Sequence, residues 1–403
     1  MHRYFAIALF SCFLFTISFA QELSPLPYDA YLQLRGGLKH SYTAITQQHK
    51  ATVAYLGGSI TYNPGWRNKV DSFLRQAYPA TQFRSINAGI PSLGSLPHAF
   101  RVQRDLLDSG KIDLLFIEAA VNDRVNGTDS LTQLRALEGI VRHARTLNPD
   151  LDIIFLSFAD TDKTNDYNNQ QTPPEIANHE LVATHYNLPS VNLGKEVRDR
   201  IQHGEFSWEK DFRDVHPSPF GQQLYFASIR ELLVRCFAAA AQQPVVAGKK
   251  KQVLPAVINA QRFEYGRYYD VTNAKTDSNW AIAPDWTPTD GLHTRPGFVH
   301  RPMLVATTAG ASLSLPFKGT AIGMAIVSGS DAGIISYSID GSPFKDIDLF
   351  TKWSKSLHLP WYVLFSGDLK PGKHVLQLKV AGEKNEKSAG NACRIVYFLV
   401  NNQ

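Results

Sequence analysis

Five short, almost uninterrupted apolar runs lie in the first half of this 403-residue chain, and they constrain its fold more than any other feature. They are 52–57 (TVAYLG), 83–87 (FRSIN), 113–119 (DLLFIEA), 152–157 (DIIFLS) and 189–193 (PSVNL). A run with little polar alternation reads as a strand covered on both faces, as in a parallel sheet. Helical patterns at 66–78, 100–107, 131–147, 173–186 and 220–240 alternate with these runs. The pair Pro173-Pro174 suits a helix start, where the missing N–H is not needed. Strand and helix in repetition predict a doubly wound parallel sheet with helices on both sides.

The texture changes after residue 240. Residues 241–255 are small, polar and basic without periodicity, and read as a linker. From 256 to 403, short β-forming stretches are separated by turn pairs such as Asp340-Gly341 and Pro371-Gly372. That pattern predicts a smaller all-β sandwich, jelly-roll-like, of about eight strands. Residues 21–240 are then expected to form the catalytic domain and 256–403 an accessory one.

The first twenty residues have a short polar start and a long apolar stretch that ends at Ser18-Phe19-Ala20. They read as a signal peptide, 1–20, cleaved after Ala20, so the protein is expected to be exported, periplasmic or extracellular. No other segment is long and apolar enough to predict a membrane span. Lys and Arg number 41 against 36 Asp and Glu, a net charge of +5. No basic stripe carries interleaved aromatics, so nucleic acid is not an expected partner. Cleavage removes Cys12. Cys236 and Cys393 fall in different expected domains and read as two separate buried thiols. No cysteine cluster has metal-ligand spacing, and no metal or cofactor is expected.

The chemistry begins at VAYLGGSITYNPGW, residues 53–66. In a doubly wound sheet, ligands meet the carboxyl ends of the strands, and Ser59 sits just past the first of these. Gly57 and Gly58 allow a sharp turn and a close approach by substrate. A serine there can be a nucleophile, or it can merely cap a helix or bind phosphate, and this stretch alone leaves both open. The Gly-x-Ser-x-Gly elbow does not apply, because Thr61 replaces its second glycine. A base is available in DFRDVHPSPFG, residues 211–221: His216, with Asp214 two residues before it and Asp211 five before. A carboxylate near a histidine fixes its tautomer and stabilises the imidazolium. IEAAVND, residues 117–123, ends the third strand with Asn122, whose amide can donate to a developing oxyanion. NAGIPSLGS, residues 87–95, follows the second strand with Gly89 and Gly94 and can aim backbone N–H groups at the same place.

Taken together, Gly-Gly-Ser-Ile-Thr, the glycine loop after the second strand, Val-Asn-Asp after the third and Asp-x-His-Pro near the end resemble the SGNH (GDSL-type) hydrolases. The four motifs occur in that family's order over about half the chain. The resemblance implies a three-layer flavodoxin-like fold and a metal-free serine esterase. It implies Ser59 as nucleophile, His216 as base, and an oxyanion site made by the Ser59 N–H, the Asn122 side chain and a backbone N–H of the 87–95 loop. Three positions depart from the pattern. Gly-Asp-Ser becomes Gly57-Gly58-Ser59, which removes a carboxylate beside the nucleophile. The oxyanion glycine, counted from Asn87, falls at Ser92, and Gly94 is the expected donor instead. Arg213 stands where the family's aspartate precedes the histidine by three, so Asp214 is the expected acid, with Asp211 as the alternative.

The second domain resembles the β-sandwich modules of secreted carbohydrate esterases. Its Trp280, Trp286, Trp353 and Trp361 are candidates for a sugar-binding surface or for core packing. Trp66 and Arg67 are candidates for the pocket wall, and Trp66 equally for a buried anchor. The expected activity is removal of O-acetyl or other short acyl groups from a polysaccharide or oligosaccharide, with the acylated carbohydrate as partner. The alternatives are a lipid or aryl ester hydrolase, a catalytically inactive carbohydrate-binding protein, and an acyl transferase.

Overall fold

The structure is a computed structural model that describes residues 24–242 and 253–402. The expected signal peptide lies outside the described residues, as do Lys249, Lys250 and Lys251. Six strands form the first sheet: β1 (Leu32–Gln33), β2 (Lys50–Gly57), β3 (Gln82–Gly89), β4 (Leu114–Glu118), β5 (Asp152–Ser157) and β6 (Ser190–Asn192). Their order is β3-β2-β4-β5-β6-β1. The first five are parallel and β1 closes the edge antiparallel to β6. Chain order reverses between β2 and β4, the switch point at which such sheets bind ligands.

Among the described residues, ten α-helices flank the sheet: α1 (Lys39–Thr46), α2 (Ser59–Tyr62), α3 (Trp66–Ala77), α4 (Ser95–Asp105), α5 (Ala120–Val125), α6 (Ser130–Leu147), α7 (Thr161–Asn168), α8 (Pro174–His185), α9 (Leu193–Gln202) and α10 (Pro219–Ala241). Helices α1, α3, α9 and α10 bury Ile45, Val70, Leu74, Val197 and Ile229 against one face. On the other, α4, α6 and α8 bury Phe100, Leu137, Ile140 and Val182. Sequence periodicity predicts the start of α4 five residues late. Gly94 opens the helix, and Pro97 is tolerated in the first turn, where its N–H has no intrahelical partner.

Among the described residues twelve strands follow, more than the roughly eight expected: β7 (Gly266–Tyr269), β8 (Lys275–Thr276), β9 (Ala281–Ala283), β10 (His293–Thr294), β11 (Met303–Ala306), β12 (Ser312–Gly319), β13 (Ile322–Ser328), β14 (Ile334–Ile339), β15 (Lys345–Asp348), β16 (Leu357–Ser366), β17 (Gly372–Val380) and β18 (Cys393–Asn401). The extra ones are two to four residues long, too short for an alternation signal. One sheet runs β10-β16-β13-β18-β11-β9, with β7 also beside β18, and the other runs β15-β14-β17-β12-β8. Leu315, Met324, Ile326, Ile335, Leu376 and Phe398 fill the space between them. Trp280 belongs to this core. Cys236 and Cys393 are buried free thiols, as expected.

The two modules share a closely packed seam. Phe263 is fully buried, with its ring 5.4 Å from that of Phe100 on α4. Gly139 on α6 has no room for a Cβ, which would meet the Phe263 backbone at 2.6 Å. The Arg104 guanidinium lies 4.6 Å from the Tyr268 ring centre and 4.7 Å from that of Tyr397, and those two rings stack on each other. Buried Glu138 on α6 accepts the backbone N–H groups of Ile258 and Asn259 and the Tyr186 hydroxyl. Truncating Phe263 leaves a cavity in this seam. Phe263→Ala should destabilise the protein by about 3–5 kcal/mol in urea unfolding, the range for large aromatic-to-alanine changes in a core.

Candidate active site

Strand β2 is buried along nearly its whole length and ends at Gly57, where the chain turns into the single turn of α2. That turn presents Ser59, half-buried, at the sheet's carboxyl rim. Opposite it, the chain leaves a π-helical turn (Trp208–Phe212) through Arg213, which adopts φ 78°. His216 then projects toward β2, and its Nε2 lies 2.7 Å from the Ser59 hydroxyl oxygen. The pair is 157 residues apart in sequence. A contact of that length is a hydrogen bond, in the geometry a base needs to take a serine proton.

Of the two candidate acids, Asp214 is the nearer in role. Its Oδ2 lies 3.9 Å from His216 Nδ1, an ion-pair distance but not a hydrogen bond, and the carboxylate is two-thirds exposed. Asp211 instead accepts the Ser207 N–H at 2.8 Å and closes the π turn.

Asn122 sits in α5, one turn past the end of β4. Its side-chain amide donates to the Leu93 carbonyl at 3.1 Å, which leaves its second N–H available. The glycine pair before Ser59 now has a reason at each position. A Cβ on Gly57 would meet Glu118 Oε1 at 2.3 Å and Thr61 Oγ1 at 2.4 Å. A Cβ on Gly58 would meet Asn122 Nδ2 at 2.0 Å. Neither glycine is there for a left-handed backbone. In the 87–95 loop, the left-handed residue is Ser92, at φ 73°, the position that the family pattern gives to glycine. Gly94 has φ −103°, open to any residue. Its glycine is required because a Cβ would meet Asp123 Oδ1 at 2.3 Å.

Two buried carboxylates that sequence reasoning passed over tie these loops together. Glu118 Oε1 accepts the Gly58 N–H at 2.5 Å and the Thr61 hydroxyl at 2.9 Å. Asp123 Oδ1 accepts the Ser95 N–H at 2.8 Å and the Ser95 hydroxyl at 2.9 Å. Burial pushes both carboxyls up, to about 7 for Glu118 and about 7 for Asp123, against the hydrogen bonds that pull them down. The available signal was the pair of acids at the end of an apolar strand, in IEAAVND.

Trp66 is fully buried among Tyr55, Phe116 and Phe158, so it is a core anchor and not a pocket wall. Arg67 donates to the Thr61 carbonyl at 3.2 Å and thus lies against the nucleophile turn. A cavity of about 250 Å³ lies beside the 87–95 loop, between the two modules. Ser92, Leu93, Asn126 and Asp129 line it from one module, and Trp361 and Tyr362 from the other. Trp286 is half-buried beside His358, and Trp353 is exposed. Among the described residues, no group of three His, Cys, Asp or Glu is disposed to hold a metal, and no helix is long and apolar enough to cross a membrane.

Comparison with known proteins fits this geometry. The model of the GDSL-like Lipase/Acylhydrolase family matches residues 55–224, from the end of β2 past His216. Over this segment the chain is similar to that family, and the match supports a carboxylic ester hydrolase. Among solved structures it is similar to a two-domain esterase active on acetylated mannans, co-crystallized with mannopentaose: TM-score 0.72, 20% identity, over 93% of this chain and 97% of that one. A second structure of a two-domain esterase active on acetylated mannans gives TM-score 0.73 and 20% identity over 93% and 98%. At that identity the likeness shows that both modules share a fold. No curated protein matches the chain.

Two outcomes follow for this site. Gly58→Ala should cost at least about 100-fold in kcat, because the new methyl displaces a candidate oxyanion donor. Its melting temperature should hardly move, since the displaced atom is the end of a side chain. The second concerns Asp123. Its carboxyl titrates higher in the folded protein than in the unfolded chain, so the folded state binds that proton more tightly. The resulting stability is complete below the ordinary carboxylate value and is lost as pH rises through about 7. Asp123→Asn does not titrate. Its melting temperature, compared with the parent protein, should therefore rise between about pH 5 and pH 8.

Proposed function

We propose that this protein is an exported serine esterase that removes O-acetyl groups from a polysaccharide or oligosaccharide. The observation that carries the reading is the 2.7 Å contact between Ser59 Oγ and His216 Nε2 at the sheet's switch point. In this reading residues 21–240 form the catalytic domain and 256–403 the accessory one.

Ser59 Oγ attacks the ester carbonyl carbon while His216 Nε2 takes its proton. The oxyanion is held by the N–H groups of Ser59 and Gly94 and by the Asn122 amide. Asp214 stabilises the imidazolium, and its separation of 3.9 Å closes when the ring becomes charged. His216 then protonates the departing sugar oxygen, leaving Ser59 acylated. A water deprotonated by His216 releases the acid and restores the serine.

Two features support a carbohydrate ester. The cavity between the modules offers an indole, a phenol and several small polar groups beside its leucines and prolines, a mixture that can stack and hydrogen-bond a pyranose. The two-domain likeness extends over nearly the whole chain, and that esterase is active on acetylated mannans. Acetate release from acetylated polysaccharides, with short- and long-chain p-nitrophenyl esters alongside, tests the reading. Ser59→Ala should abolish release. Asp214→Ala should lower kcat, and Asp211→Ala should leave kcat nearly unchanged. Turnover of long-chain esters alone would favour a lipase-like enzyme, and glycan binding with no turnover would favour an inactive binding protein.

A further inference from the structure

The family pattern places an aspartate immediately before the nucleophile, and this chain has Gly58 there. We infer that the missing carboxylate is supplied from the neighbouring strand, by Glu118 at the end of β4, as the positioning residue for Ser59. The inference rests on the serine esterase reading above.

The peptide between Gly57 and Gly58 is held at both ends. Its carbonyl accepts the Ile90 N–H at 3.0 Å and Arg101 Nη2 at 3.2 Å. Its N–H donates to Glu118 Oε1 at 2.5 Å. The same oxygen accepts the Thr61 hydroxyl at 2.9 Å, so one carboxylate atom ties the residue before Ser59 to the residue two after it. A peptide plane held in this way leaves the Ser59 N–H and Cα little freedom to turn. Arg101 is itself fully buried and also donates to the Ala88 carbonyl at 2.5 Å, which fixes the adjoining end of β3.

Space around the turn supports the same assignment. Glu118 Oε1 lies 2.3 Å from where a Gly57 Cβ would be, and Asn122 Nδ2 lies 2.0 Å from where a Gly58 Cβ would be. An aspartate at 58 has no room while Asn122 holds its place. The double glycine and the glutamate are therefore one arrangement. Two small residues open the space, and it is filled by an acid from the end of β4 and an amide from α5. Glu118 is only 2% exposed, and the cations that face it are Arg101 on α4 and Lys163 on α7. It does not touch the Ser59 side chain, so it acts through the backbone.

The test compares the parent protein with Glu118→Ala, Glu118→Gln and Thr61→Val. Each is assayed with p-nitrophenyl acetate, and kcat is expressed per site titrated by a fluorophosphonate. Glu118→Ala should lose about 100-fold in kcat per titrated site, the cost of an ångström-scale misplacement of a reacting group, with KM within about threefold. The rate of fluorophosphonate labelling should fall in parallel. Glu118→Gln keeps an acceptor oxygen and should recover most of the loss. Thr61→Val removes one of the two bonds and should show a smaller loss of the same kind, which keeps the test decisive if Glu118→Ala does not fold. If the variants lower the titratable fraction or the melting temperature while kcat per site is unchanged, Glu118 is only structural and the inference is overturned. A different result marks failure of the esterase reading itself: a parent protein that is not labelled at Ser59 and turns over no ester.

Discussion

Glu118 to Asp123 is the segment on which the rest of the site depends. Within six residues β4 ends, α5 begins, and three side chains reach in three directions. Glu118 holds the turn that carries Ser59. Asn122 reaches the Leu93 carbonyl between that turn and the 87–95 loop. Asp123 holds the start of α4 through Ser95. The Ser59 turn and the 87–95 loop are thus both tied to the end of the same central strand and the helix that follows it, which fixes their spacing relative to each other. Burying two carboxylates for this purpose is unfavourable, and the raised titration of both records that cost. Buried polar groups of this kind are tolerated when each has its hydrogen bonds, and here they also define one arrangement of the site.

Much of this was legible in the sequence. The buried strands announced themselves as apolar runs, because parallel strands have no solvent face to encode. Asp152–Ser157 emerges with the predicted bounds. The Ser59–His216 encounter was legible as well, since both flank elements whose order fixes which rim they reach. What escaped were elements too short or too local to leave a pattern: the two-residue β1, the edge strands of the second module, and the π turn before Arg213. That turn separates the two candidate acids: it engages Asp211 with the Ser207 N–H, while Asp214 lies 3.9 Å from the His216 ring.

The glycines teach a related lesson. Gly57, Gly58 and Gly94 invite an explanation by backbone freedom, and their dihedral angles do not call for it. Each is glycine because a side chain from another element occupies the space a Cβ would take. Such a requirement depends on what packs against the residue, and no local pattern can carry it. The reverse holds at Ser92, a serine in the conformation usually left to glycine. Its carbonyl accepts the Asn126 side chain at 2.9 Å, which offsets part of the strain.

Helix α4 joins these themes. Its first residue, Ser95, is gripped by Asp123 at the site, while further along Phe100 and Arg104 pack into Phe263, Tyr268 and Tyr397 of the second module. An eleven-residue helix is a stiff rod about three turns long, so its two ends move together. The β-module is therefore unlike a pendant on a tether, free to be exchanged among enzymes. Its seam residues pack against the same rod whose first residue is gripped at the site.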